Sequence, residues 1–208
     1  TWNDYAGRRS MRSSWLSFSG NYSYTFIIGE ETPAQIASRT NSEHTLPVPL
    51  VNEMRKHNDI LIGNFIDSYY NLTRKAVLLL SLNKRADYLF KADTDTYVNI
   101  PHLMRYLQHR KATNSIVEYA GRVIKHLRPD RDMTARWYMS YESWPSNITF
   151  PPFAQGQGYL IKSSLAQCML DVVGKEWPEE KLDFPLEDVF IGVLAESCNT
   201  PPRHLVSL

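Results

Sequence analysis

The sequence predicts an α/β layered domain with a mostly parallel central sheet. Short apolar runs alternate with helix-patterned segments along the whole chain. The runs stop at Gly or pass straight into acidic residues, and the segments between carry apolar residues at helical spacing. Residues 24–29 and 59–65 read as the first two buried strands. Residues 72–82 are Leu-rich and end in basic residues, which suits a helix whose C-terminal dipole meets cations. Residues 87–92 form a third strand that runs directly into Asp93-Thr-Asp95. A helix beginning near Pro101 follows, with Leu103, Tyr106 and Leu107 at helical spacing and the proline where a first turn tolerates it.

Residues 116–121 and 158–161 read as two more strands, separated by a polar, aromatic and Pro-containing stretch, 125–152, that predicts a long functional loop. After them comes a helix with Leu165, Cys168, Met169 and Val172 on one face, expected to close at Gly174. A last helix opens at Glu187-Asp188, with Val189, Gly192 and Val193 inward. In such a sheet ligands bind beyond the carboxyl ends of the strands, where Asp93 and Asp95 fall.

At 208 residues, 43% hydrophobic and 22% charged, the chain suits one domain over 1–208. Lys plus Arg number 23 against 22 for Asp plus Glu, so nothing supports nucleic-acid binding through bulk positive charge. No run approaches the ~20 apolar residues of a membrane span. The chain starts at Thr1, which reads as a fragment or processed form. Sequons at Asn21, Asn71 and Asn147 lean toward the secretory pathway. Cys168 and Cys198 either form one disulfide there or stay as buried thiols.

Two carboxylates spaced as Asp93 and Asp95 can face one side and offer hard oxygens to Mg²⁺ or Mn²⁺, which takes its remaining ligands from water and a substrate diphosphate. A second pair, Asp130-Arg-Asp132, shows that spacing alone is not enough. It lies among Arg128, Pro129 and Arg131, where surface ion pairing is the expected role. Acidic pairs also serve phosphohydrolases and nucleotidyltransferases, but the chain has no Gly-rich phosphate loop.

Six segments, in order, carry a family pattern. They are Arg8-Arg-Ser-Met-Arg-Ser-Ser-Trp15, Asn58-Asp-Ile-Leu-Ile-Gly-Asn-Phe-Ile-Asp-Ser-Tyr-Tyr-Asn-Leu-Thr-Arg-Lys75, Lys91-Ala-Asp-Thr-Asp-Thr-Tyr-Val-Asn99, Arg136-Trp-Tyr138, Pro151-Pro-Phe-Ala-Gln-Gly-Gln-Gly-Tyr159 and Glu187-Asp-Val-Phe-Ile-Gly192. Together they resemble the β-1,3-glycosyltransferases of glycosyltransferase family 31, the galactosyltransferase and N-acetylglucosaminyltransferase group. The resemblance implies a GT-A, Rossmann-like nucleotide-sugar-binding domain, a UDP-sugar donor, Mn²⁺ (or Mg²⁺) and inverting transfer in β1,3 linkage to a glycan, glycoprotein or glycolipid acceptor. It also implies a type II Golgi membrane protein with a lumenal catalytic domain. The anchor, the stem and the last C-terminal elements lie outside this chain.

Residue by residue, the resemblance makes Asp188 the base, with Glu187 orienting the acceptor or Asp188. It makes Asp95 the main metal ligand, with Asp93 beside it on metal and donor and His204 as candidate third ligand. Asp188 opens a helix, so free N–H groups are expected to hold its pKa low. Arg8 and Arg12 are expected at the nucleotide, Arg12 equally as a helix-surface charge. Lys75 reads as a donor contact or an exposed cation, with Asp67 holding the nucleotide or Lys75. Trp137, Tyr138 and Trp144 are the aromatic candidates for sugar contacts, and Gly156 and Gly158 allow close backbone approach at the acceptor cleft. Asn21 and Asn147 are the glycosylation candidates, Asn71 being part of a packed motif.

Two departures stand out. Thr94 replaces the middle carboxylate of the family's triple-Asp motif, and Ala154 replaces a frequent Cys. Galactose is the favoured sugar, N-acetylglucosamine or N-acetylgalactosamine the alternatives. The missing carboxylate gives weight to a non-catalytic nucleotide-sugar-binding relative that supports a partner subunit.

Overall fold

The computed structural model describes residues 1–37, 46–145, 147–178 and 182–205. Helix α1 (Tyr5–Ser13) is capped by Asp4, whose carboxylate accepts the Gly7 N–H at 3.0 Å. It turns Arg8 and Met11 inward. Strand β1 (Phe26–Glu30) and strand β2 (Ile60–Ile66) pair in parallel, Phe26 opposite Ile60. The crossover a parallel pair requires carries helices α2 (Pro33–Ala37) and α3 (Val48–His57). Helix α3 ends at Asn58 in the left-handed conformation, its N–H returned to the Met54 carbonyl.

Helix α4 (Leu72–Leu80) buries Thr73, Ala76 and Leu80. The Thr73 hydroxyl donates to the Phe184 carbonyl at 2.8 Å and ties α4 to the segment that leads into the last helix. Strand β3 (Tyr88–Ala92) is followed by helix α5 (Ile100–Ala112), whose N-cap Asn99 accepts the His102 N–H. Strand β4 (Tyr119–Ile124), strand β5 (Phe153–Lys162), helix α6 (Ser163–Glu176), helix α7 (Glu187–Ser197) and the short strand β6 (Arg203–His204) complete the order. The sheets are β1-β2 and β3-β5-β4-β6.

The larger sheet is mixed, which corrects the expectation of a mostly parallel one. Strand β5 runs antiparallel to both β3 and β4, while β4 and β6 are parallel. Strands β3 and β4 therefore run the same way, as a helical crossover through α5 dictates. Between β4 and β5 the alternation fails: residues 125–152 contain no helix or long strand among the described residues, and the chain returns reversed into the gap. Helices α2 and α3 have no counterpart in the sequence reading, and α1 enters it only through Arg12 as a helix-surface charge. Helix α6 passes through Gly174, where a side chain would meet open space, and closes only at Trp177.

The main core lies between the larger sheet and the layer of α4, α6 and α7, with Tyr119, Tyr159, Ile161, Met169, Phe190 and Leu194 fully buried. Helix α7 approaches β5 closely at Gly192, where a Cβ would lie 2.6 Å from that of Phe153. Cys168 of α6 is bonded to Cys198 at the end of α7, closing a loop of 30 residues and resolving the alternative left by the sequence. Replacing both with Ser is expected to cost about 3 kcal/mol of stability by loop entropy, read as a lower midpoint in urea unfolding without loss of the folded baseline.

Candidate active site

Strand β3 ends at Ala92, and the chain turns at once: the Thr96 N–H returns to the Asp93 carbonyl at 3.1 Å. The Asp93 N–H in turn donates to the Gln157 carbonyl of β5 at 3.2 Å. This fixes the acidic turn against β5. Lys91, on the last turn-ward face of β3, joins the turn to the start of α7. Its ammonium lies 2.6 Å from Asp93 Oδ1 and 3.6 Å from Glu187 Oε2, and it also donates to the Gly156 carbonyl.

Glu187 is only 7% exposed, and its Oε1 accepts the Tyr159 hydroxyl. Asp188 takes the Gly156 N–H on Oδ2 at 3.0 Å and the Val189 N–H on Oδ1 at 2.9 Å. A Cβ on Gly156 would stand 3.4 Å from Glu187 Oε2 and 3.5 Å from Asp188 Oδ2, so the close approach expected at Gly156 is to these carboxylates.

Burial dominates the electrostatics. It raises the pKa of Glu187 against the opposing pull of Lys91 and Tyr159. It also raises that of Asp188, although Gly156, Val189 and Lys91 favour the charged form. The low pKa expected from free helix N–H groups is thus corrected: those donors are present, and desolvation outweighs them. Lys91 is pulled down by burial, but Glu187, Asp93 and Asp188 outweigh it and hold it above the ordinary lysine value. Tyr159 lies well above its ordinary value through burial and the Glu187 charge. Lys91 and Tyr159 had no assigned role in the sequence. The available signal was an ionisable residue near the end of an otherwise apolar strand.

The other predicted residues divide. Asp95 is exposed and has no hydrogen bond or ion pair among the described residues. His204, on β6, faces the cavity beside the acidic turn, as do Thr96 and Gly158. Its Nδ1 accepts the Val123 N–H at 3.1 Å. This contact ties β6 to β4. Among the described residues no three His, Cys, Asp or Glu side chains converge as a metal cluster.

Arg8 and Arg12 are held in an ion-pair network with Glu53 and Asp59. Arg8 is 1% exposed, with a bidentate hold on Glu53 and bonds to the carbonyls of Thr1 and Trp2. Arg12 grips Asp59 with two nitrogens and Glu53 with a third. Neither is a surface charge. Burial raises the Glu53 pKa and the two guanidiniums reverse it, leaving it lowered. The network joins α1 to α3 and to the start of β2. Lys75 meets Asp67, whose side chain is fully buried, at 2.5 Å, and Asp67 also accepts the Trp2 N–H.

In the 125–152 loop, Trp137 is 61% exposed and Tyr138 half-buried. Trp144 instead packs edge-on to Phe150 and gives its indole N–H to the Ile148 carbonyl. Asp132 accepts from the N–H and hydroxyl of Thr134, and Asp130 from the Asp132 N–H, so this second acidic pair organises a turn. Asn21 and Asn147 are exposed, while the Asn71 amide donates to the Ile66 carbonyl. No described helix is long and apolar enough to cross a membrane.

Known proteins share much of this sequence. The chain is 33% identical over 234 residues to mouse beta-1,3-galactosyltransferase 4, covering 97% of this chain and 59% of the relative. It is 31% identical over 182 residues to rat UDP-GlcNAc:betaGal beta-1,3-N-acetylglucosaminyltransferase 7, covering 85% and 42%. It is 28% identical over 209 residues to human N-acetyllactosaminide beta-1,3-N-acetylglucosaminyltransferase 2, covering 96% and 49%. The chain thus spans at most about three-fifths of the length of these relatives. The galactosyltransferase family model matches residues 6–206, and with nearly the whole sequence inside it the chain belongs to the galactosyltransferase family.

Proposed function

We propose that this chain carries the catalytic centre of an inverting β-1,3-hexosyltransferase of GT-A type, moving galactose from its UDP ester to a glycan hydroxyl. The observation that carries the reading is the convergence of Asp93, Lys91, Glu187 and Asp188 where β3 ends and α7 begins. Inversion needs a base on one side of the anomeric carbon and a stabilised leaving group on the other. Asp188 is the base. Its raised pKa makes it a stronger base than an exposed aspartate, and two backbone N–H groups hold its orientation. Glu187, held by Tyr159 and Lys91, orients Asp188 and the acceptor.

Asp95, exposed and without a hydrogen bond or ion pair among the described residues, and Asp93 offer hard oxygens that would hold Mn²⁺ or Mg²⁺ beside a substrate diphosphate. Held by Asp93 and Asp95, such a cation would supply positive charge to the departing UDP diphosphate. Galactose is favoured because three of the most similar relatives are named beta-1,3-galactosyltransferase 4. Trp137, exposed on its loop, is the aromatic suited to stack on an acceptor sugar. The Golgi lumen is the proposed setting, and the Cys168–Cys198 bond suits it.

UDP release with Mn²⁺ tests the reading, with UDP-galactose, UDP-N-acetylglucosamine and UDP-N-acetylgalactosamine offered against Gal-, GlcNAc- and GalNAc-terminated acceptors. Acceptor-dependent release is expected, falling by about 10²-fold or more in Asp95→Ala as the metal's charge stabilisation is lost. Binding of UDP and Mn²⁺ without acceptor-stimulated release would replace the transferase by a nucleotide-sugar-binding subunit.

A further inference from the structure

Tyr119 stands on β4 in the main core, 1% exposed, where a phenylalanine would fill nearly the same space. A hydroxyl taken that far out of water is costly without a partner. Its partner is a single backbone group: the oxygen accepts the Ala154 N–H of β5 at 2.9 Å. Burial pushes its ionisation far above the ordinary tyrosine value, the Glu187 and Asp188 charges adding to this against the Ala154 N–H. The group is therefore a neutral hydroxyl throughout the working pH range.

Ala154 is where β5 leaves β4. Val123 pairs with Ala154 and Gly121 with Tyr159, so two steps along β4 match five along β5, and residues 155–158 form a bulge. Tyr119 holds both ends of it. Its hydroxyl takes the Ala154 amide at the entry, and its ring lies edge-on to that of Tyr159 at the exit, centroids 6.2 Å apart. Gly121, two residues along β4, permits this close approach of the strands. A Cβ there would lie 2.8 Å from that of Ala154 and 2.9 Å from the Gly158 carbonyl oxygen. The bulge in turn carries the contacts of both α7 carboxylates. Its Gly156 N–H meets Asp188 Oδ2 at 3.0 Å, its Gly156 carbonyl accepts from Lys91, and Tyr159 just beyond donates to Glu187.

Resting on the transferase reading, we propose that Tyr119 is a positioning residue for the transfer: its hydroxyl fixes the bulge of β5, and the bulge aims the Gly156 N–H at the carboxylate of Asp188. Residues in a bulge have lost the ladder bonds that set the shape of a strand. A side chain that satisfies the backbone at the edge of the bulge therefore decides where the next amides point. The hydroxyl, enclosed in the core, acts on the reaction only through this backbone. Orientation of a reacting group is worth large factors in rate, and small displacements lose them.

The test is Tyr119→Phe, which removes the hydroxyl and keeps the ring. Rates are measured across pH with Mn²⁺ and the donor and acceptor pair that the parent turns over fastest in the UDP-release screen, UDP-galactose being the expected donor. The variant is made in the parent and in Asp188→Asn, and urea unfolding and amide hydrogen exchange at Gly156 accompany the rates. In the parent background kcat is expected to fall about tenfold, the rate equivalent of one net hydrogen bond, with both KM values within about twofold. The rising limb of kcat/KM moves to higher pH, because Asp188 loses a donor that favours its charged form, and Gly156 exchanges faster. In the Asp188→Asn background the residual rate does not change, since the two residues act as one unit. A parental kcat and pH limb in Tyr119→Phe, or an equal kcat loss in both backgrounds, would overturn the proposal. So would loss of the folded baseline in urea, which makes the hydroxyl a matter of stability alone. A parent protein without acceptor-dependent UDP release defeats the transferase reading instead, and this inference with it.

Discussion

Asp188→Asn is expected to lower kcat by about 10²- to 10⁴-fold, the usual loss when a positioned base is removed, while leaving the fold intact or more stable. Asparagine keeps the shape and one acceptor for the Gly156 and Val189 N–H groups, and removes the charge that burial disfavours. The linkage sign follows from the raised pKa. The stabilisation from a protonated Asp188 is complete below the ordinary aspartate pKa and is lost as pH rises through the folded value, so at neutral pH the ionised carboxylate weakens the fold. Activity has the opposite slope: kcat/KM in the parent rises with pH through that raised value, above the ordinary aspartate range of ~3.9. A melting temperature several degrees lower in the variant, with activity lost, would show Asp188 to be a structural cap instead.

Lys91→Met is expected to destabilise the protein by about 3 kcal/mol, the cost of leaving one member of a buried ion pair without its partner. Glu187, 7% exposed, loses the cation that offsets its burial, and Asp93 and the Gly156 carbonyl lose their shared donor. The raised pKa of Lys91 means that its stabilising charge is present throughout the neutral range and is lost only as pH rises above the ordinary lysine value. Adding Glu187→Gln to Lys91→Met should recover much of the loss, because the uncompensated charge disappears. Urea unfolding of the two single variants and the double measures this coupling, and simple additivity would show that Lys91 acts by packing alone.

Much of the architecture was legible because periodicity is local. The apolar run before Asp93 marks a strand wherever that strand is placed, and Leu103, Tyr106 and Leu107 mark a helix by spacing alone. The order of the motifs likewise carried the family, and the paired placement of Asp67 with Lys75 follows from a motif nine residues long. Gly174 misled because a helix end depends on tertiary support. Helix α6 continues to Glu176, and Trp177 beyond it packs on Phe184 and Phe190.

What the sequence by itself determined about this protein is the identity of its acidic groups, the strand and helix on which they sit, and its family. What only the tertiary structure decided is how they are partnered. The return of β5 between β3 and β4 is a long-range pairing that no local pattern encodes, and the bulge in it brings Gly156 to Asp188. Lys91 reaches Glu187 across 96 residues of sequence, and Arg8 and Arg12 find Glu53 and Asp59 across more than 40. Desolvation, finally, is a property of three-dimensional enclosure: the sequence places Asp188 at a helix start that favours its charge, and only burial among β5 and α7 reverses the balance.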